Sequence, residues 1–181
     1  ARSAAGRALR PARRKPPAER RSRAERTVLV TLLAPMVVPC AARRIDPDLA
    51  LCVDVAIATD TPDMEGHGDV ALGAGPVLTR FTRASLNGII PNPSLRRFAA
   101  GVAEAAGIDL QHAVLQGGLT DASFMQHVGR GIPSLDVSFP CRYTHTPVET
   151  ASVRDVERLT DWIEAMLGSL ADLPDLTRRG A

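Results

Sequence analysis

Leu51–Ala58 (LCVDVAIA) is a short apolar run broken by one carboxylate, Asp54. Its length and its content of Val and Ile read as a buried strand. A carboxylate inside such a strand is costly unless it is paired or bound to a metal. Asp54 is therefore either a strand-end side chain that caps a neighbouring turn or a ligand. Whatever surrounds this strand has to provide apolar cover along most of it and a polar environment at one point.

The flanking segments show what that cover is. Thr27–Leu33 (TVLVTLL) reads as a second buried strand, and Pro47-Asp48 as the turn before Leu51. Pro35 and Pro39 break the apolar stretch between them. A polar loop, Thr59–Val70, leads into a Gly-Pro turn at Gly73–Pro76. Asn92-Pro93 opens a helix, with Asn92 as N-cap and Pro93 at the first helical position. Leu95, Phe98, Ala99, Val102 and Ala106 recur along it at helical spacing, and Gly107 ends it. His112–Leu115 and Ser134–Phe139 read as strands, and Thr120 can cap a helix over Asp121–Val128. Ser152-x-x-Asp155 has the form of a capping box for a long last helix, in which Val156, Leu159, Ile163, Met166, Leu167 and Leu170 form an apolar stripe. Strands alternating with helices give an α/β fold, a mixed sheet flanked by helices.

Composition divides the chain in two. Residues 1–26 hold nine Arg, one Lys and two Glu, about +8, within an overall net charge of +2. That segment, rich in Arg, Ala and Pro, cannot bury enough surface to offset its chain entropy, so it is expected to be a disordered basic tail. Residues 27–181 are mildly acidic and would not attract nucleic acid, which leaves residues 1–26 as the one segment suited to it. Nothing approaches the ~18 consecutive apolar residues of a membrane span. Cys40, Cys52 and Cys141 show no CxxC pairing, which fits buried thiols in a reducing, cytoplasmic setting.

Two further features carry chemistry. His145 lies in CRYTHTPVET, a polar segment between a strand and a capped helix, where α/β folds place their sites. Taken alone it is either a hydrogen-bonding residue or a ligand. In QGGLTDAS, Gly117 and Gly118 let the backbone approach a ligand, and Thr120 and Asp121 begin a helix whose N–H groups could face an anion. The same string also serves as a tight turn with an N-cap. The loop Asp60–Asp69 has many donors but no metal-site spacing.

In chain order, DPDLALCVDVAIATDTP, LGAGPV, the Pro93-Ser94-Leu95 helix ending in AGI, QGGLTDA, GIP and RYTHTPVE resemble the tetrahedral and glutamyl aminopeptidases, from about Ile45 to Leu170. These are co-catalytic metallopeptidases that remove N-terminal residues from peptides. The resemblance implies a zinc-peptidase-like fold of which residues 27–181 form the C-terminal portion, incomplete on its N-terminal side. It implies that Asp54 and His145 each hold one of two divalent ions, zinc or cobalt, and that Gly117, Gly118, Thr120 and Asp121 border the active site. It also implies a peptide substrate and a homo-oligomer.

The family's other ligands include an upstream histidine and a bridging aspartate. A Glu-Glu pair should follow the first strand and provide the general base, but Ala34-Pro35-Met36-Val37 stands there and has no carboxylate. No catalytic residue is therefore assigned, and the chain alone is expected to be inactive. A non-catalytic paralogue or interaction subunit that keeps the scaffold is the alternative. An Arg/Ala/Pro-rich stretch running abruptly into family-like sequence points to a frameshifted or truncated reading frame.

Overall fold

The structure, a computed structural model, describes residues 26, 28–32 and 37–176. The expected basic tail lies outside the described residues except for Arg26, as does the segment 33–36 where the family's glutamates would stand.

Strand β1 (Val28–Leu32) pairs in parallel with β2 (Leu49–Ile57), and β2 pairs in parallel with β6 (Ser134–Arg142). On the far side of β6 lies β3 (Val77–Ala84), antiparallel to it and hairpinned to β4 (Asn87–Ile89). Strand β5 (Gln111–Gln116) runs parallel to β3, and β7 (Thr150–Ala151) pairs with the end of β6. Among the described residues these seven strands form one mixed sheet.

Alternation along the strands sends side chains to two helical layers. Leu49, Leu51, Leu78, Leu135 and Val137 pack with α2 (Pro93–Ala105) and α4 (Val153–Gly168). Trp162 is the largest fully buried side chain, and its indole Nε1 donates to Ala99 O at 2.9 Å, which satisfies its polar atom as it joins the two helices. Ala50 and Cys52 face the other way, toward Val38 and Ala42 of α1 (Val38–Ile45) and Ala122 and Met125 of α3 (Asp121–Met125). Asp54 is in phase with Ala50 and Cys52, and Asp136 is out of phase with Leu135 and Val137. Both carboxylates therefore belong to the α1/α3 face.

Helix α2 starts as its sequence signals. Asn92 Oδ1 accepts from Ser94 N at 2.8 Å and Leu95 N at 3.4 Å. Gly107, at φ 66°, follows its end. Three expectations need correction. Among the described residues, strand β1 lies at the edge of the sheet rather than buried within it, with Val30 45% exposed. Pro39 sits in the first turn of α1, where a missing N–H costs no intrahelical bond. Helix α3 stops at Met125, short of Val128. Ser152 makes no side-chain cap, and Val156 and Leu167 lie at the exposed margin of α4 while Trp162 occupies the core.

Asp155 has a different role. It is fully buried, and its carboxylate accepts from Gly73 N at 2.7 Å and Gly75 N at 3.0 Å. Gln111 holds the same loop through Ala71 N at 2.8 Å, Ala71 O at 3.0 Å and Gly75 O at 2.7 Å. Only glycine fits at position 75, since φ is 102° and a Cβ would stand 2.5 Å from Asp109 O.

Candidate functional site

Parallel pairing of β2 and β6 brings their carboxyl ends to the same edge of the sheet, in register from Ala50–Ser134 to Ile57–Cys141. Asp54 lies on β2 opposite Ser138, and the chain leaving β6 reaches His145 three residues after Arg142. An ion pair ties the two exits together. Arg142 Nε donates to Asp60 Oδ1 and Nη2 to Asp60 Oδ2, both at 2.7 Å. Asp60 Oδ2 also accepts from Leu72 N at 2.9 Å, which brings in the loop held by Asp155. The guanidinium holds the Asp60 carboxyl down at about 2 and raises the Arg142 pKa in turn.

Asp54 is half-buried, and its Oδ1 accepts from Val55 N at 2.8 Å. Burial pushes its carboxyl up and the nearby Asp121 charge adds to this, while the Val55 bond and His145 act in the opposite direction. Asp54 and His145 therefore lie within electrostatic reach of each other. His145 is exposed, and its backbone N–H donates to Glu149 Oε1 at 2.6 Å. The loop that presents it is strained: Tyr143 and His145 sit at φ 59° and 64°. A left-handed backbone costs a non-glycine residue about 1–3 kcal/mol and concentrates at functional sites.

The Gly117–Asp121 segment arrives from the other side. Gly117, at φ 84°, donates its N–H to Arg83 O at 2.8 Å. A Cβ on Gly118 would meet Leu115 Cδ2 at 2.9 Å, so the loop lies tightly on β5. Thr120 Oγ1 donates to Asp136 Oδ2 at 2.8 Å, and Ser123 Oγ accepts from Thr120 N at 3.4 Å. Asp121 is buried at the start of α3, and its charge acts on both Asp54 and Asp136. The Thr120 hydroxyl on Asp136 and the buried Asp121 give the segment an acidic setting.

Sequence reasoning passed over Asp136. It is fully buried on β6, paired with Cys52 across the β2–β6 ladder, and its Oδ1 finds no partner. Burial, with Asp54 and Asp121 adding to it against the Thr120 bond, raises its pKa to about 7. The signal that singled out Asp54 was available here too, since Asp136 is one carboxylate inside the apolar run Ser134–Phe139.

A catalytic zinc takes three protein ligands and an open position. The resemblance assigns Asp54 and His145 as two of these donors. Among the described residues, no three His, Cys, Asp or Glu side chains are grouped to hold an ion. The described residues therefore do not by themselves group the donors such a centre takes.

The sequence profile of the M42 glutamyl aminopeptidase family matches residues 38–161, more than half of the chain. The lysyl aminopeptidase of Pyrococcus furiosus is 35% identical over 127 residues, 70% of this chain and 34% of its own length. A crystal structure of a TET aminopeptidase from the marine sediment archaeon Thaumarchaeota archaeon SCGC AB-539-E09 superposes with a TM-score of 0.69 at 30% identity, covering 78% of this chain and 40% of that one. The Pyrococcus horikoshii TET1 peptidase, described as able to assemble into a tetrahedron or a large octahedral shell, gives a TM-score of 0.59 at 31% identity over 74% of this chain and 37% of its own. The chain spans about a third of the length of the curated relatives it matches. The order and spacing of the Asp54, Gly117–Asp121 and His145 segments, the mixed sheet that gathers them and these likenesses agree: the chain belongs to the M42 glutamyl aminopeptidase family.

Proposed function

We propose that this chain carries the C-terminal part of a metal-dependent aminopeptidase site, in which Asp54 and His145 each provide one ligand to one of two divalent ions, zinc or cobalt. The convergence of the β2 and β6 exits, latched by Asp60–Arg142, is the observation that supports this reading. M42 aminopeptidases generally depend on two metal ions, and both residues stand in the family's motifs. Peptides with a free N-terminus are the proposed substrates of the whole enzyme, and a homo-oligomer of the kind described for the TET1 peptidase is its proposed assembly. A cytoplasmic location fits the sparse, unpaired cysteines, and no helix among the described residues is long and apolar enough to cross a membrane.

One ligand per ion leaves each ion short of its protein coordination, and the segment where the family places its general base has no glutamate. This 181-residue chain by itself is accordingly a scaffold with little or no peptidase activity. The incomplete donor set equally supports a non-catalytic paralogue, and metal binding separates the two readings. Zinc titration followed by the His145 imidazole resonances, in the native chain and in Asp54→Asn, tests the ligand assignment. Zinc should shift the His145 ring signals ahead of those of His67, His112 and His127. Ring signals that all move together, or only at denaturing zinc concentrations, would favour the non-catalytic scaffold.

A further inference from the structure

We propose that Asn87-Gly88, in the hairpin of β3 and β4, is a self-modification site, at which the Gly88 backbone nitrogen closes a ring onto the Asn87 side chain and expels its amide as ammonia. The inference goes beyond the metal-site reading and does not rest on it.

The sequence narrows the choice. The chain has two asparagines, Asn87 and Asn92. Ring closure needs a backbone N–H on the next residue and freedom for it to turn onto the side chain. Gly88 offers both, because it has an N–H and no Cβ. Pro93 has no N–H to attack with, and the Asn92 side chain is engaged as the α2 cap.

The hairpin register leaves the nucleophile outside the ladder. Ser85-Leu86 forms a two-residue turn closed by the Ala84–Asn87 pair, with Ser85 at φ 51°. In such a hairpin the closing pair exchanges ladder hydrogen bonds and the next pair, Arg83–Gly88, does not. The Gly88 N–H and C=O therefore both face away from β3. Their partners agree with this: Gly88 O accepts from Gln126 Nε2, and Gly88 N donates to Asn87 Oδ1 at 2.8 Å. The carbon bonded to that oxygen, Asn87 Cγ, is the atom that the nitrogen attacks. His127 Nε2 lies 3.4 Å from the same oxygen, and in the tautomer that carries a proton there it polarises the carbonyl under attack. Solvent reaches the site, because Asn87 and Gly88 are partly exposed and line an open groove with Arg83, Leu86 and Gln126.

The reaction needs water and no other reagent. The Gly88 nitrogen gives up its proton and bonds to Asn87 Cγ, the Cγ–Nδ2 bond breaks, and Nδ2 leaves with that proton as ammonia. Water then opens the five-membered succinimide at either carbonyl. One opening gives aspartate, and the other an isoaspartyl linkage in which the main chain runs through Cγ. Both place a new carboxylate beside His127. The isoaspartyl form also adds an atom to the β4 backbone, which moves Gly88 O away from Gln126 and loosens the hairpin from the end of α3.

The test holds the full chain at pH 8, folded in buffer and unfolded in urea. Trypsin then releases the peptide Ala84–Arg96, which contains both asparagines. Mass spectrometry with fragmentation that separates aspartyl from isoaspartyl products follows each position over time. Asn87 should convert to a mixture of the two products in the folded chain, and Asn92 should stay intact. The folded rate should lie within about tenfold of the unfolded rate, whereas a nitrogen locked in the ladder would react only through opening of the fold and be slower by about a thousandfold or more. Asn87→Gln, whose side chain is one methylene too long for the five-membered ring, should stay unmodified while its circular dichroism matches that of the native chain. Conversion of Asn87 in urea but not in the folded chain overturns the proposal, as does no conversion in either state. Loss at Asn92 to the same extent, or aspartate as the sole product at Asn87, would show direct hydrolysis in place of ring closure and overturn it too.

Discussion

Replacing Asp136 by Asn should make the protein more stable at neutral and alkaline pH while leaving it nearly unchanged near pH 4. The carboxyl has an ordinary value of 3.8 and is raised to about 7 in the fold, mainly by burial. Between those values the folded state keeps a proton that the unfolded chain has released. Folded molecules then bind more protons than unfolded ones, so stability falls as pH rises through this window and levels off above it. A shift of about three units at about 1.4 kcal/mol each puts the full loss at about 4 kcal/mol. Asn has nearly the same shape and still offers an oxygen to Thr120, but it cannot ionise. The protein has a single tryptophan, and Trp162 is fully buried, so its fluorescence reports urea unfolding directly. Unfolding free energies measured at pH 4.5, 6, 7.5 and 9 should show the native chain losing several kcal/mol that Asp136→Asn retains. The raised Asp54 carboxyl contributes a slope of the same sign to both proteins, so the difference between the curves isolates Asp136. Parallel curves would refute the reasoning, because Asp136 would then titrate alike in both states.

Three other substitutions test the supports around the site. Asp155→Ala removes the acceptor of Gly73 and Gly75 from a fully buried position and should cost about 3 kcal/mol, with faster hydrogen exchange at those two amides. Asn92→Ala removes the α2 cap and should cost about 1 kcal/mol by urea unfolding. Arg142→Gln should let the Asp60 carboxyl rise from about 2 toward its ordinary value, followed by carboxyl ¹³C titration. The Asp60–Arg142 contribution is present above that ordinary value and disappears as pH falls toward 2, so the native chain should lose it only in strong acid while Arg142→Gln lacks it throughout.

The features legible in the sequence were those with local causes. Asn92 and Pro93 announce α2 because capping depends only on near neighbours, and Asp54 stands out because a carboxylate in an apolar strand is a conflict visible in a few residues. The hairpin Val77–Ile89 was missed for a local reason too: a bulge between Thr79 and Phe81 breaks the two-residue alternation, and the turn uses Ser85, at φ 51°, in place of a glycine. Other misses depended on tertiary partners. Asp155 reads as a capping residue, yet it serves a loop some eighty residues earlier in the chain. Asp136 gives the same signal as Asp54, but its weight comes from Thr120 and from two other carboxylates that only folding brings near. The order of the Asp54, Gly117–Asp121 and His145 segments named the family, and the parallel pairing of β2 with β6 shows how the strand ends before the Asp54 and His145 loops meet.

The half-site character of this chain is tested most directly by turnover of chromogenic aminoacyl substrates in zinc and in cobalt, with the native chain beside Asp54→Asn and His145→Ala. The expected result is no metal-dependent product release above background, and the same trace from all three proteins. Cobalt- or zinc-dependent turnover by the native chain, abolished by His145→Ala, would contradict it and show that the catalytic centre is complete within these residues.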